Sequence, residues 1–334
     1  MRKSIAIFAV VTAIISAIAA AQGPGRRGAG HCRMMGTLPE SMTSEGNAVT
    51  AAKIDLGRML FYDPRLSKNR DVSCNSCHDL QQYGVDGKPV SIGHDGQKGT
   101  RNSPSVYHAA GHIAQFWDGR AADVEEQAKG PVLNPVEMAM PSELEVMERL
   151  RAIPGYVAAF RSAFPHDTQP VTFDNMALAI GAFERKLVTP SRWDRFLRGD
   201  RSAITNEEMS GHHEFMHGGC GTCHNGPYVG GGMFQRLGTE RPWPVATDLG
   251  RIEVTKATSD RMVFKVPSLR NVVKTAPYFH DGKVPTLREA VRLMARHQLD
   301  TEFSETQVSQ IVLWLGSLTG EIPRDYIRPP RLPD

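Results

Sequence analysis

Apolar residues recur at helical spacing through most of this chain, and polar capping residues stand where those runs begin. Between Ala51 and Leu60 the apolar positions Ile54, Leu56, Met59 and Leu60 predict a helix that Asp63-Pro64 ends. Ser142 with Glu145 has the spacing of a capping box ahead of Leu144, Met147 and Leu150. Asp174 is placed to cap a helix carrying Ala177, Ile180, Phe183 and Leu187. Thr205 with Glu208 opens another, Thr286 with Glu289 precedes Leu287, Val291 and Met294, and Ser304 with Gln307 precedes Val308, Ile311, Val312 and Leu315. Residues 84–102 and 226–250 are rich in Gly and hold no helical period, and strand signals are scarce. The fold class expected is therefore mostly α with long loops. The polar, turn-rich run from Thr189 to Asp200 predicts a boundary between two units.

The chemistry is concentrated in two short runs, Cys74-Asn-Ser-Cys77-His78 and Cys220-Gly-Thr-Cys223-His224, in a chain with only five cysteines. Two thiols three positions apart can both bond the vinyl groups of a haem, and the His that follows is then held against the iron as an axial ligand. Two copies imply two c-type haems. A zinc site built from two Cys pairs and structural disulfides are the competing readings. Zinc does not require His after both pairs, which favours haem.

The N-terminus changes where this chemistry is expected. Arg2-Lys3, an apolar run from Ile5 to Ile18 and Ala19-Ala20-Ala21 before Gln22 form the three parts of a secretory signal over residues 1–21. An uncleaved membrane anchor is the alternative, and either leaves the body of the protein outside the cytoplasm; in a bacterium this is the periplasm. Loss of Arg2 and Lys3 lowers the formal net charge from +3 to +1, and no basic stripe marks a nucleic-acid surface. Charged residues at 22% and hydrophobic ones at 40% of 334 residues are the balance of a soluble protein with room for two domains. Residues 22–45 are expected to be a flexible segment that leaves Cys32 as a free thiol. Its Gly23-Pro-Gly25-Arg-Arg-Gly28 matches a dinucleotide fingerprint in letters only, since no strand precedes it.

One further motif competes. His213-Glu214-Phe215-Met216-His217 has the H-E-x-x-H spacing of metalloproteases, with both His on one helical face. No third ligand is evident, and Gly218-Gly219-Cys220 follows at once, so a haem there would crowd a catalytic zinc.

The chain from about Gly46 to Glu321 resembles the bacterial di-haem cytochrome c peroxidase family. Besides the two haem motifs, the resemblance rests on Arg101-Asn-Ser-Pro-Ser-Val-Tyr, Gln115-Phe-Trp-Asp-Gly-Arg-Ala, Gln127-Ala-Lys-Gly-Pro, Asn134-Pro-Val-Glu-Met, Phe264-Lys-Val-Pro-Ser-Leu-Arg-Asn and Ala276-Pro-Tyr-Phe-His-Asp-Gly. It implies two cytochrome c-like domains, residues 46–195 and 196–334, each with one covalent haem. The first haem, on Cys74, Cys77 and His78, would be peroxidatic with His94 as a displaceable ligand. The second, on Cys220, Cys223 and His224 with Met294 opposite, would accept electrons, and a thioether ligand raises the potential as that role needs. The resemblance further implies Glu137 as general acid and base, Gln127 as its hydrogen-bonding neighbour and Trp117 as an electron relay between the haems. It also implies a calcium ion bound by the Asn102 side chain and the carbonyls of Thr275 and Pro277. The expected activity is reduction of hydrogen peroxide by electrons from a small cytochrome c or copper protein, in a homodimer. A related oxidase of protein side chains, in which Tyr replaces the Met, and a plain electron carrier are the alternatives.

Overall fold

A computed structural model describes residues 35–244 and 247–334; the signal segment and Cys32 lie outside the described residues. Helix α1 (Ala51–Tyr62) starts where Thr50 accepts a hydrogen bond from the Lys53 N–H and stops at Asp63, which Pro64 follows. A short α2 (Cys74–Cys77) then carries the first cysteine pair. Helices α3 (Val124–Leu133), α4 (Glu143–Arg151), α5 (Pro154–Ala163) and α6 (Phe173–Glu184) complete the first half. The second half holds α7 (Arg192–Leu197), α8 (Asn206–His217), α9 (Ile252–Thr255), α10 (Leu287–Leu299) and α11 (Glu305–Ser317). The β structure described as strands is one ribbon, β1 (Phe234–Arg236) antiparallel to β2 (Val263–Lys265), with Gln235 opposite Phe264. The fold is mostly helical, as the periodicity predicts.

Two apolar clusters organise these helices. The first gathers Leu56, Leu60 and Phe61 of α1 with Phe160 of α5 and Ile180 and Phe183 of α6. The second gathers Trp193 and Phe196 of α7, Phe215 of α8, and Ile311, Trp314 and Leu315 of α11. The same device appears in both. The helix before each C-x-x-C-H run crosses a later helix at a glycine: a Cβ on Gly57 would lie 1.9 Å from the Ala179 carbonyl oxygen, and one on Gly211 would lie 1.9 Å from that of Gln310. Only a residue without a side chain lets the two backbones approach so closely.

Three sequence expectations change. The helix from Phe173 is capped by Thr172, whose hydroxyl accepts from the Asn175 N–H, and Asp174 sits in its first turn instead. The run from Thr189 to Asp200 follows Leu187 of the first cluster and leads into the second, but it is not a bare linker: it contains α7, with Trp193 and Asp194 fully buried. Asp194 pairs with Arg270 at 2.6 Å, and both side chains are fully shielded from water. Of the segment expected to be flexible, residues 35–45 are anchored. Met35 joins the second cluster, the Leu38 N–H donates to Asp194 Oδ1 at 2.8 Å, and the Met42 carbonyl accepts from Arg185. At the other end of the chain, Ile327 is buried in the first cluster, and Tyr62 donates its hydroxyl to the Ile327 carbonyl at 2.6 Å. Among the described residues no helix is long and apolar enough to cross a membrane.

Candidate haem cavity

A cavity of about 1040 Å³ lies between the two halves, and both C-x-x-C-H runs line it. That exceeds the upper end of the roughly 300–1,000 Å³ typical of a site for one small ligand. Cys74, Cys77, Cys220 and Cys223 are not joined in disulfides. Burial pushes the thiols of Cys74 and Cys220 up to about 12 and raises those of Cys77 and Cys223. A reactive dithiol needs the opposite, a depressed thiol pKa. Among the described residues no three His, Cys, Asp or Glu side chains come together as a zinc site would require.

The histidines fit a haem iron. Burial lowers the pKa of His78 and brings that of His224 down to about 4, which keeps both rings neutral and able to bind a metal. His78 Nδ1 lies 3.3 Å from the Gly84 carbonyl, so it carries the proton and leaves Nε2 as the ligand atom. Carbonyls of Val229 and Pro267 oppose the shift at His224, but His224 Nδ1 is buried without a hydrogen-bond partner. Met294, on α10, lines the cavity beside Val291 and Leu287. His297, the next candidate on that helix, does not. Its Nδ1 faces the Arg241 carbonyl at 3.1 Å, and its ring meets Trp243 edge-on at 5.1 Å.

Glu137, Gln127 and Trp117 all line the same cavity. Gln127 projects from α3, and the turn that ends α3 presents Glu137. Asn134 shapes that turn: its carbonyl accepts from the Glu137 N–H at 3.0 Å, its Oδ1 accepts from the Val136 N–H, and its Nδ2 donates to Glu137 Oε1 at 2.7 Å. Burial raises the Glu137 pKa, opposed by the Arg120 charge and by the Asn134 hydrogen bond. A carboxyl so poised can both take and give a proton. Trp117 is fixed by Nε1–H donating to the Asn102 carbonyl at 2.9 Å and by its own carbonyl accepting from the Lys265 N–H of β2 at 2.7 Å. Its ring stands edge-on to His280 at 6.4 Å.

His94 is outside the cavity wall. Its ring is buried, Nε2 lies 3.1 Å from Asp95 Oδ2, and its N–H donates to the Glu137 carbonyl at 2.8 Å. The loop bearing His94 thus rests on the turn bearing Glu137. Asn102, Thr275 and Pro277 do line the cavity. Asn102 Nδ2 donates to the Lys88 carbonyl at 2.9 Å, which leaves the amide oxygen as the atom that can face a cation.

Sequence reasoning passed over two wall residues. Arg120 stacks its guanidinium 3.5 Å above the Phe116 ring and supplies the charge that opposes the rise at Glu137. Glu184 lines the cavity from the end of α6, and burial, aided by the charge of Glu125, pushes it up to about 8. Arg120 lies within the quoted Gln115–Ala121 motif and could have been found there; Glu184 reads as an ordinary helix residue.

The family model for the di-haem cytochrome c peroxidase matches residues 51–202. Cytochrome c551 peroxidase of Pseudomonas aeruginosa is 46% identical over 293 residues, covering 86% of this chain and 84% of that one. The chain belongs to the di-haem cytochrome c peroxidase family. Cytochrome c551 peroxidase of Nitrosomonas europaea is similar at 48% identity over 282 residues, 83% of either chain. A crystal structure of a MauG-like protein associated with microbial copper homeostasis superposes with a TM-score of 0.76 at 29% identity, covering 89% of this chain and 97% of that one. The expectation that the chain is an enzyme of the cytochrome c peroxidase class holds at this level of similarity.

Proposed function

We propose that this chain reduces hydrogen peroxide to water in the periplasm, with electrons from a small cytochrome c or copper protein. The observation that carries the reading is Glu137, a half-buried carboxyl with a raised pKa on the wall of the cavity that holds the first haem motif. Haems on Cys74, Cys77 and His78 and on Cys220, Cys223 and His224 supply, when bound, one-electron transfer and an iron site for peroxide. Glu137 would carry a proton from one peroxide oxygen to the other as two electrons from the haems break the O–O bond and two further protons complete both waters, while Gln127 would orient the peroxide. Each peroxide consumes two electrons and two protons and leaves two waters, so two donor molecules are oxidised per turnover.

Met294 is proposed as the thioether ligand of the second haem and Trp117 as the relay toward the first. His94 is proposed as the ligand that leaves: its ring lies off the cavity wall beside Asp95, and its backbone N–H ties the loop to the Glu137 carbonyl. Calcium would sit on Asn102, Thr275 and Pro277 and brace the Asn102 carbonyl that fixes Trp117. Export by a signal over residues 1–21, domains over 46–195 and 196–334, and a homodimer complete the reading. A side-chain oxidase, with Tyr in place of the Met, is disfavoured by Met294 on the cavity wall.

The test is oxidation of a reduced small cytochrome by the haem-loaded protein, with and without peroxide. Peroxide-dependent oxidation is expected, and Glu137→Gln should slow it by roughly a hundred- to ten-thousand-fold while both haem spectra persist. A variant that turns over within a factor of three of the parent removes Glu137 from the proton path.

A further inference from the structure

The helix that leads into the second haem motif carries two histidines for which the proposed reaction has no use. His213 and His217 lie one turn apart on α8, both exposed, with ring centroids 4.3 Å apart and their Nε2 atoms 3.3 Å apart. Side chains four apart on a helix share a face. Two imidazole nitrogens bound to a tetrahedral zinc ion at about 2.0–2.1 Å stand about 3.3 Å from one another. The pair therefore already has the bite of a chelate, and an ion would replace the contact between the two rings.

We propose that His213 and His217 form a two-histidine surface site for a borderline divalent transition ion, zinc above all, with water completing its shell. The site is not a hydrolase centre. Glu214, which would have to activate water in an H-E-x-x-H enzyme, is engaged elsewhere: its Oε2 accepts a hydrogen bond from Gln307 Nε2 on α11 at 2.9 Å. No third His, Cys, Asp or Glu joins the pair among the described residues, so the ion is held less tightly than in a closed four-ligand site. A surface depression of about 490 Å³, lined by Asn206, Met209, Ser210, His213, Glu214 and Gln310, leaves room for the water shell. The ion would staple the last turn of α8, which is capped by Gly218, two residues before Cys220. Binding to the folded chain alone raises its stability.

The experiment titrates zinc into the haem-loaded protein in a calcium-containing buffer that keeps oxygen-ligand sites filled, and reads binding by calorimetry and the thermal midpoint. One zinc per chain at this site and a midpoint that rises with zinc are expected. His213→Ala and His217→Ala should each weaken that binding at least tenfold and abolish the rise, with the haem spectra unchanged, while Glu214→Gln should bind zinc within twofold of the parent. Absence of binding at tens of micromolar zinc, a weakening below tenfold in either histidine variant, or a tenfold loss in Glu214→Gln overturns the proposal.

Discussion

Met294 and His297 sit three residues apart on α10 and differ in what they touch, which is why Met294 is the one proposed to serve the second haem. Met294 lines the cavity, whereas His297 is turned toward the Arg241 carbonyl and the Trp243 ring. A thioether favours ferrous iron more than imidazole does, so the choice sets the potential at which electrons enter. Met294→His is expected to lower the potential of that haem and to prevent half-reduction by a mild donor, as followed by spectroelectrochemistry. His297→Ala should leave the potential in place; if it shifts there and Met294→His has no effect, His297 is the ligand. The resemblance pointed to Met294, whereas helical spacing alone gives His297 access to a neighbouring face as well. Glu184 was hidden for a related reason: its raised pKa comes from burial against residues distant in sequence, which no local pattern encodes.

At the scale of elements, what was legible was what is local. Thr205 with Glu208 and Ser304 with Gln307 form complete reciprocal capping boxes, because the interacting groups lie within one turn. The buried helix within the turn-rich run from Thr189 to Asp200 was not legible, because its burial depends on Arg270, 76 residues from Asp194. Arg270 donates to both Asp194 oxygens and to Ser191 Oγ, while Asp194 Oδ1 also takes the Leu38 N–H. Burial alone would raise the Asp194 pKa; the Arg270 charge and these hydrogen bonds outweigh it and lower the pKa below the usual value. The stabilisation this brings is complete above about pH 4, where unfolded Asp is ionised, and is lost as pH falls through the depressed folded value. Asp194→Asn should cost about 3–5 kcal/mol in chemical denaturation at neutral pH, because it strands a buried guanidinium. Joint replacement by Asp194→Leu and Arg270→Met should recover most of that loss. A single-variant cost below about 1 kcal/mol would mean that water reaches Arg270.

Over the whole molecule the chain ends tie the two halves together, each in the half it does not adjoin in sequence. Met35, near the start, packs in the second cluster, and Ile327, near the end, packs in the first. The tail makes specific contacts there. Tyr326 stacks on Phe183 at 5.2 Å and donates its hydroxyl to the Phe183 carbonyl at 2.7 Å, Ile327 accepts from Tyr62, and the Asp334 carbonyl accepts from the Gly155 N–H at 3.2 Å. These straps hold the halves against the shared cavity, so the spacing between the two haem motifs depends on residues far from either. Ending the chain after Glu321 would expose apolar surface of α1, α5 and α6 while leaving α8, α10 and α11 covered. Burial of one large aliphatic or aromatic side chain contributes roughly 1.5–3 kcal/mol, and Tyr326 and Ile327 are lost together. The truncated, haem-loaded protein is therefore expected to melt earlier at the haem of the first C-x-x-C-H run, with the transition at the haem of the second run shifted less, as read from their separate absorption bands. Equal shifts at both haems would mean that the halves unfold as one unit, and no shift at either would mean that the tail contributes nothing to the first core.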